Sequence, residues 1–329
     1  MTLLAKGFRP FFLLAAVFGA AIVPLWLLAL AGWFIPAGPL VGVHWHAHEM
    51  IHGFTVAVLA GFLLTAVGNW TGRETATGKR LGGLALGWLA GRVALLVVPG
   101  WAATVVDLAF LPALAAVIAG PIWRAKNYRN AAFPVLLLVL WAANLAAHLD
   151  AHGVLPGAAA TANRAAVHVV VVIILVVTGR IVPMFTRNAT GAAEIRSLPA
   201  LDRVAIGATG ALAVAQLVPG AGVVEAALAG VAAVAVAGRA WGWGARHTLR
   251  DPLLWVLHAG HGWVAVGLAL HALAARDLVP RALALHALTA GSIGMLTLGM
   301  MARVALGHTG RPIRARPVMG VAFAALLVA

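Results

Sequence analysis

The sequence contains no cysteine among its 329 residues. This absence excludes disulfide bonds, thiolate metal sites, iron–sulfur clusters and haem attached covalently through cysteine. A metal ion bound by this chain must therefore rely on histidine, methionine, aspartate or glutamate. The sequence also lacks a dinucleotide-binding glycine loop, a nucleophile elbow and a phosphate-binding glycine pattern. These absences argue against NAD- or ATP-driven chemistry in this chain.

Charged residues are scarce: they make up 10% of the chain, whereas 63% of the residues are apolar and the mean hydropathy is +0.98. A soluble domain carries about 25% charged residues, so this chain has too little polar surface to cover a water-soluble globule. Many of its apolar runs reach about 20 residues, the length that crosses ~30 Å of hydrocarbon. The composition predicts an all-α, polytopic transmembrane helical bundle with the lipid bilayer as its surroundings.

The apolar runs predict about ten full spans within a single transmembrane domain over residues 1–329. A last apolar run, 317–329, is too short to cross the membrane comfortably, so we expect either a chain that ends in a partial C-terminal span or a fragment that has lost its C-terminal spans. Two pairs of spans are joined by tight Pro/Gly turns, as helical hairpins require. The predicted spans are 11–32, 45–70, 81–98, 101–123, 131–152, 164–187, 201–218, 221–241, 251–273 and 281–304.

Acidic residues are few, nine against 23 basic ones, and the formal net charge is +14. The basic residues form short groups between the apolar runs rather than one basic soluble face, so we expect no nucleic-acid partner. When the ten spans alternate in direction, 18 lysines and arginines fall on one side of the membrane and three on the other. By the positive-inside rule, the N-terminus is predicted to be cytoplasmic.

Histidine is concentrated in one stretch, "VGVHWHAHEMIHGF", residues 41–54, which holds four of the 13 histidines. On a helix, His44, His48 and His52 would line one face; if residues 44–48 were extended, His44, His46 and His48 would do so instead. The predicted topology brings nine histidines from five spans to the outer third of the membrane. These nine are His44, His46, His48, His52, His148, His152, His168, His271 and His286.

Such a group of imidazoles predicts a metal or haem site, because neutral imidazole binds copper, zinc and iron. A proton path remains open as the alternative, with histidines and Glu49 as relay groups. Arg92 and Arg180 fall inside predicted spans, where a guanidinium must snorkel to the surface or pair with a carboxylate or a haem propionate. In the third span, Gly83, Gly87 and Gly91 form a small-residue stripe that predicts close helix packing.

The chain resembles the NnrS family over essentially its whole length. NnrS proteins are bacterial polytopic membrane proteins associated with the nitric oxide response. The segments that carry the resemblance are "GFRPFFLLAA" (7–16), "WHAHEM" (45–50), "GFLLTAVGNWTGR" (61–73), "GRIVPMFTRN" (179–188), "LLWVLHAG" (253–260) and "LHALTAGSIGMLTLGMMARVALGHTGR" (285–311).

The resemblance implies a haem and copper protein of the bacterial inner membrane that protects against nitrosative stress. A b-type haem is expected, and nitric oxide or a related small molecule is the expected ligand. Family members usually run to about twelve spans, which adds to the expectation of a truncated C-terminus. The family's motif histidines match His46, His48, His148, His258, His286 and His308. We leave His308 out of the site because the predicted topology puts it at the inner face.

We therefore predict a membrane protein that binds or turns over nitric oxide, with its histidine cluster toward the periplasm. Turnover of nitric oxide would make the protein an oxidoreductase. The sequence does not identify its electron donor. Glu49 is the predicted proton-carrying catalytic residue, and His258, His286 and Arg92 are the predicted haem-binding residues. The alternative is a transporter or sensor of a transition metal or of protons that uses the same outer histidines. The predicted metal ligands are His46, His48, His52, His148, His168 and His261.

Overall fold

The computed structural model describes residues 3–328, and all regular secondary structure in that range is helical. Helices account for 79% of the chain, which confirms the predicted all-α class. The chain divides into two compact units, Met1–Ala166 and Val167–Ala329. We describe each unit by itself, and the prediction of a single domain over 1–329 stays a prediction.

The first unit contains seven α-helices. A π-helical segment, Glu49–Thr55, joins the second and third into one continuous 30-residue helix, Gly42–Thr71. Two short 3₁₀ turns, Leu3–Ala5 and Tyr128–Asn130, precede the first and the seventh helix. The helices are α1 (Phe8–Leu30), α2 (Gly42–His48), α3 (Val56–Thr71), α4 (Gly78–Val97), α5 (Trp101–Leu108), α6 (Phe110–Arg124) and α7 (Ala132–Ala151).

The second unit is built from the greater part of α8 and the six helices that follow it. A second π-helical segment, Ala287–Gly294, again joins two helices into one long one, Arg281–His308. A 3₁₀ turn, Ala245–His247, lies between the tenth and eleventh helices. The helices are α8 (Ala158–Thr190), α9 (Pro199–Ala215), α10 (Gly222–Trp241), α11 (Pro252–Ala274), α12 (Arg281–His286), α13 (Met295–His308) and α14 (Pro317–Val328).

Nine helices within residues 3–328 are long and apolar enough to cross a membrane, and they correspond to nine of the ten predicted spans. The exception is the predicted span 201–218, which is α9 and has only 17 residues. At 1.5 Å per residue such a helix covers about 25 Å. It ends early because Pro219 follows, and the residue before a proline disfavours helical dihedrals. The last apolar run forms the 12-residue helix α14.

Within the first unit, small residues let α1 pack against α3 and α4 pack against α5. A Cβ atom built on Gly61 would lie 2.7 Å from the Phe12 ring. A Cβ on Gly91 would lie 3.2 Å from the Cα of Asp107. The predicted glycine stripe is therefore right for Gly91. At Gly83 and Gly87 no other part of the described chain lies within 4 Å of such a Cβ, so close packing at these two positions stays a prediction.

The first π-helical segment is held by side chains that satisfy its backbone. A π turn is wider than an α turn, so some carbonyls lose their usual partner, and such turns occur often at functional sites. Here the Thr55 hydroxyl donates to the Met50 carbonyl at 2.8 Å, and the Trp88 indole of α4 donates to the Gly53 carbonyl at 3.1 Å. The segment carries Glu49 and His52, so its geometry sets the direction of both side chains.

Candidate metal centre

The first unit holds a cluster of seven polar side chains, which we call the Asp107 group. Its members come from α2, the first π-helical segment, α4, α5 and α7, and each is at most 5% exposed. Polar groups buried this deeply are stable only when they are paired or bound to a ligand. The Asp107 group consists of His48, Glu49, His52, Arg92, Asp107, Asn144 and His148.

The Asp107 carboxylate lies at the centre of this group. Its Oδ2 atom accepts hydrogen bonds from His148 Nε2 at 3.0 Å and from Asn144 Nδ2 at 2.8 Å, and it lies 3.2 Å from His48 Nε2. Its Oδ1 atom accepts from Arg92 Nη2. Side chains from three helices, α2, α4 and α7, thus converge on one carboxylate of α5.

Arg92 bridges the two carboxylates of the group. Its Nη1 donates to Glu49 Oε1 at 2.8 Å, while its Nη2 donates to Asp107. Of the alternatives that the sequence left open for Arg92, the structure shows pairing with carboxylates; a role toward a haem propionate stays a prediction. Two carboxylates and one guanidinium leave one negative charge when the histidines are neutral. Burying an uncompensated charge is strongly unfavourable, so the group favours an additional proton or a bound cation.

His48 faces oxygen atoms on both sides of its ring. Nδ1 lies 3.0 Å from Glu49 Oε1, and Nε2 lies 2.8 Å from Asn144 Oδ1. The Asn144 side-chain amide donates a hydrogen bond through Nδ2 to Asp107, so its Oδ1 atom faces His48 as an acceptor. A neutral imidazole has only one N–H. One further proton is therefore shared between His48 and Glu49, unless a cation takes the lone pair of Nε2.

His48, Asp107 and His148 offer three ligand atoms that all lie within 4.8 Å of one another. Two imidazoles and a carboxylate suit copper, zinc or iron. His52 lies beside them, with its ring centroid 5.0 Å from that of His48. Neither ring nitrogen of His52 has a hydrogen-bond partner among the described residues, although the side chain is buried. Leaving such groups unsatisfied costs about 1–3 kcal/mol each, which a bound ion or cofactor would relieve.

His148 is held in place from its other side by a short chain of hydrogen bonds. Its Nδ1 lies 3.1 Å from the Thr104 hydroxyl, which in turn lies 2.9 Å from His152 Nε2. The ring of His152 stacks on Trp101 at 3.8 Å between centroids. Contacts of this kind fix the orientation and the tautomer of a ligating histidine.

The structure does not bring His46 into the Asp107 group. Residues 44–48 are helical rather than extended, so His46 points about 200° away from His48 around the helix. Its ring stacks on Trp26 at 4.7 Å between centroids. Of the two conformations that the sequence left open for residues 44–48, the structure has the helical one, and a metal-binding role for His46 stays a prediction.

In the second unit, two threonines of α8 set the tautomers of His258 and His261. The hydroxyl of Thr186 donates to the Val182 carbonyl and lies 2.9 Å from His258 Nε2. The hydroxyl of Thr178 likewise donates to its own helix and lies 3.3 Å from His261 Nδ1. Because each hydroxyl proton is already used, each histidine must donate to its threonine.

The second nitrogen of His261 is consequently a free acceptor. Its Nε2 has no partner in the described part of the chain, and the side chain is fully buried. Trp243 lies against its ring at 4.4 Å between centroids, and the Arg239 guanidinium lies 4.9 Å from the Trp243 ring. Arg239 is itself buried and pairs with Asp202 at 3.1 Å. This environment fits a histidine that binds a metal through Nε2.

The other two predicted residues of the second unit lie elsewhere. His286 is exposed, and its Nδ1 lies 2.7 Å from the Ala282 carbonyl of its own helix. His168 is buried, with its Nδ1 3.1 Å from Gln216 Nε2 and its ring 4.8 Å from that of His271. The predicted roles of His286 in haem binding and of His168 in metal binding stay predictions.

Sequence reasoning missed Asp107 and Asn144. Asp107 is the single carboxylate of the predicted span 101–123, and an ionisable residue inside a span is by default a functional candidate. Asn144 precedes His148 by four residues and so shares its helix face. Both signals were present in the sequence. The contact between these two residues depends on how α5 packs against α7, which no local pattern reports.

A family model described as NnrS protein matches residues 2–329. No curated protein and no solved structure matches the chain.

Proposed function

The chain belongs to the NnrS family, and on that premise we propose that it is an integral membrane haem and copper protein that binds or turns over nitric oxide. Family membership links the chain to the nitric oxide response, and its long apolar helices make it a membrane protein. Protection against nitrosative stress is the proposed physiological role. We further propose the bacterial inner membrane as its location, with the N-terminus in the cytoplasm and the Asp107 group toward the periplasm.

The observation that carries this proposal is the Asp107 group. His48, His148 and Asp107 would hold copper, and His52 would be a further nitrogen donor. A bound copper ion supplies one-electron redox chemistry. The protein's own residues supply the remainder: Arg92 balances charge, Glu49 holds a proton at Oε1 beside His48, and Thr104 orients His148.

For haem, the residue that fits best is His261. Its Nδ1–H is fixed by Thr178, and its Nε2 is buried without a partner among residues 3–328. A proximal histidine in a haem protein commonly has this arrangement, in which the second nitrogen donates to a neighbouring oxygen. His258 is the second candidate and is held by Thr186 in the opposite tautomer. A haem supplies an iron that coordinates nitric oxide.

A second candidate function is the transport or sensing of metal ions or protons, and one observation favours it. The ring of His48 faces acceptors at both nitrogens, so a proton and a metal ion compete for Nε2. Metal binding at such a site releases a proton, which couples the two equilibria. A transporter with these properties would show metal-dependent proton movement across vesicles and would contain no tightly bound haem.

An absorption spectrum combined with metal analysis of the purified full chain tests the proposal. We expect a Soret band and bound copper in the wild type. His148→Ala should lose copper and keep the Soret band, whereas His261→Ala should lose the Soret band and keep copper. A wild-type protein without either cofactor, isolated after expression with added haem precursor and copper, would refute the proposal. Retention of copper by His148→Ala would refute the assignment to the Asp107 group.

A further inference from the structure

The second unit buries two arginine side chains that the proposed function does not use. Within the part of the chain that the structure describes, Arg239 of α10 is 0% exposed and Arg303 of α13 is 9% exposed. In each, the guanidinium nitrogen Nη1 is buried and has no hydrogen-bond partner among the described residues. A guanidinium is always charged and can only donate hydrogen bonds, so an electron-rich ligand would satisfy both nitrogens.

The other two nitrogens of Arg239 hold its guanidinium in a fixed position. Nη2 donates to the Leu175 carbonyl of α8 at 2.8 Å, and Nε lies 3.1 Å from Asp202 Oδ1. Gly179 of α8 makes room for the side chain, since a Cβ atom at position 179 would overlap Nη2. The N–H groups of Nη1 therefore remain available for a ligand, on a guanidinium that is already oriented.

The charge of Arg303 is less well compensated by protein. Its Cζ atom lies 4.3 Å from the centroid of the Phe185 ring of α8. Whereas Arg239 has Asp202, no carboxylate among residues 3–328 lies within ion-pair distance of Arg303. A cation–π contact does not neutralise the cation, and a buried charge without a counterion is strongly unfavourable. An anionic ligand at Nη1 would supply the missing counter-charge.

Both arginines contact the face of α8 that also holds His258 and His261. At 3.6 residues per turn, the five contact positions on α8 fall within an arc of about 120° around the helix. The histidines and the arginines of three other helices are thus brought to one stripe of α8. The contact residues are Leu175 and Gly179 for Arg239, Thr178 for His261, Phe185 for Arg303 and Thr186 for His258.

A haem matches this pair of unsatisfied donors, because it carries two propionate groups, each a carboxylate that a guanidinium recognises. Arg239 also lies close to His261, the haem ligand proposed above. The Trp243 ring lies 4.4 Å from the His261 ring and 4.9 Å from the Arg239 Cζ atom. Arg92 of the first unit differs, because both its Nη1 and its Nη2 already donate to carboxylates of the protein.

We propose that Arg239 and Arg303 bind the two propionates of the haem, each through the N–H groups of its Nη1. This inference rests on the proposed function, since it requires a haem bound in the second unit. Arg239 keeps its ion pair with Asp202 through Nε, and Arg303 gains the counterion that the protein does not provide. Both are positioning residues: they orient the haem and balance its charge.

Haem and its dimethyl ester, in which both carboxylates are methylated and uncharged, separate this role from a structural one. The purified full chain is stripped of haem and titrated in detergent with each compound, and the Soret band reports binding. The wild-type ratio of haem affinity to ester affinity should exceed that of Arg239→Met/Arg303→Met by at least about 10-fold, because charge-assisted hydrogen bonds are lost. Each single variant should have an intermediate ratio.

Comparing ratios between variants cancels the stronger partitioning of the ester into detergent, as in a double-mutant cycle. Arg246→Met is the matched control. Arg246 is 76% exposed and pairs with Glu194, so this variant should keep the wild-type ratio. Helical circular dichroism and monodisperse elution identify a variant that fails to fold. In that case Arg239→Lys/Arg303→Lys carries the test, because lysine keeps the charge without the planar fork and should also lower the ratio.

A wild-type ratio in a folded double variant would overturn the inference, whether the replacements are methionine or lysine. That result would leave the proposed haem intact. A wild type that binds neither haem nor its ester would instead refute the proposed haem, and with it the role of the two arginines. The two failures are therefore distinguishable.

Discussion

Gly91 of α4 packs directly against Asp107 of α5, so that a Cβ atom at position 91 would lie 3.2 Å from both the Cα and the Oδ1 of Asp107. This close approach brings the next residue, Arg92, within reach of the Asp107 carboxylate. Arg92 also contacts Glu49. The Asp107 group therefore depends on the distance between α4 and α5, which Gly91 sets.

We therefore expect Gly91→Ala to weaken both the fold and the metal site. A contact at 3.2 Å forces α5 to shift, and overpacking of this kind usually costs about 1–3 kcal/mol. Gly87→Ala is the matched control, because a Cβ there meets open space and alanine stabilises a helix by about 0.5–1 kcal/mol relative to glycine. Unfolding in detergent and copper affinity measure the two effects. Equal behaviour of the two variants would contradict the proposed role of the α4–α5 contact.

Arg92→Met should destabilise the protein by about 3–5 kcal/mol, because it leaves two buried carboxylates without their cation. Replacing Glu49 by glutamine in the same chain removes one of those charges. We expect the double variant Arg92→Met/Glu49→Gln to be more stable than Arg92→Met alone. Denaturation of the single and double variants gives the coupling energy between the two positions. Additive losses would show that the pair does not act as an ion pair.

Asp107→Asn should remove copper from the first unit. The amide that replaces the carboxylate is a much weaker ligand and also lacks the charge that balances Arg92. Substituting a residue that hydrogen-bonds to a metal ligand typically weakens metal affinity by about 10–100-fold. We expect a larger loss of copper affinity when the ligand Asp107 itself is replaced. Asp150→Asn is the control, since Asp150 accepts from the backbone N–H groups of Gly157 and Ala159 and is not part of the Asp107 group. Equal copper contents in the two variants would refute Asp107 as a ligand.

The fold was largely predictable from the sequence, because apolar runs of span length are a signal that each segment carries by itself. Nine of the ten predicted spans are helices of sufficient length. The exception, α9, ends at Ala215 ahead of Pro219, and that proline was itself visible in the sequence. The two π-helical segments were not predicted, since one extra residue in a turn leaves no trace in hydrophobic periodicity.

The candidate site was predictable only in part. His48, His52, His148 and Glu49 were singled out from their spacing or from family resemblance, and Arg92 from its position inside a span. Their partner Asp107 was missed because its importance lies in contacts between α4, α5 and α7. His46 shows the opposite failure: it belongs to the same motif as His48, yet the helical conformation of α2 turns it toward Trp26. Sequence identifies candidate residues well, but helix packing decides which of them meet.

Thr178→Val should change the haem spectrum without removing any proposed ligand. The hydroxyl of Thr178 accepts the Nδ1–H of His261, and valine has a similar shape but no acceptor. We expect a shifted Soret band or reduced haem content, because the tautomer and orientation of His261 are no longer fixed. Thr190→Val is the control, since Thr190 bonds to its own helix at the end of α8. Identical spectra for both variants and the wild type would contradict His261 as the haem ligand.

The absence of cysteine makes the predicted orientation directly testable, because a single introduced thiol is the only labelling site in the chain. Val154 lies between α7 and α8 and is 61% exposed, and Tyr128 lies between α6 and α7 and is 58% exposed. Neither substitution removes a basic residue, so the charge asymmetry that sets the orientation is preserved. In intact cells, a membrane-impermeant maleimide should label Val154→Cys but label Tyr128→Cys only after the membrane is opened. The reverse pattern would place the N-terminus outside and the Asp107 group at the cytoplasmic face.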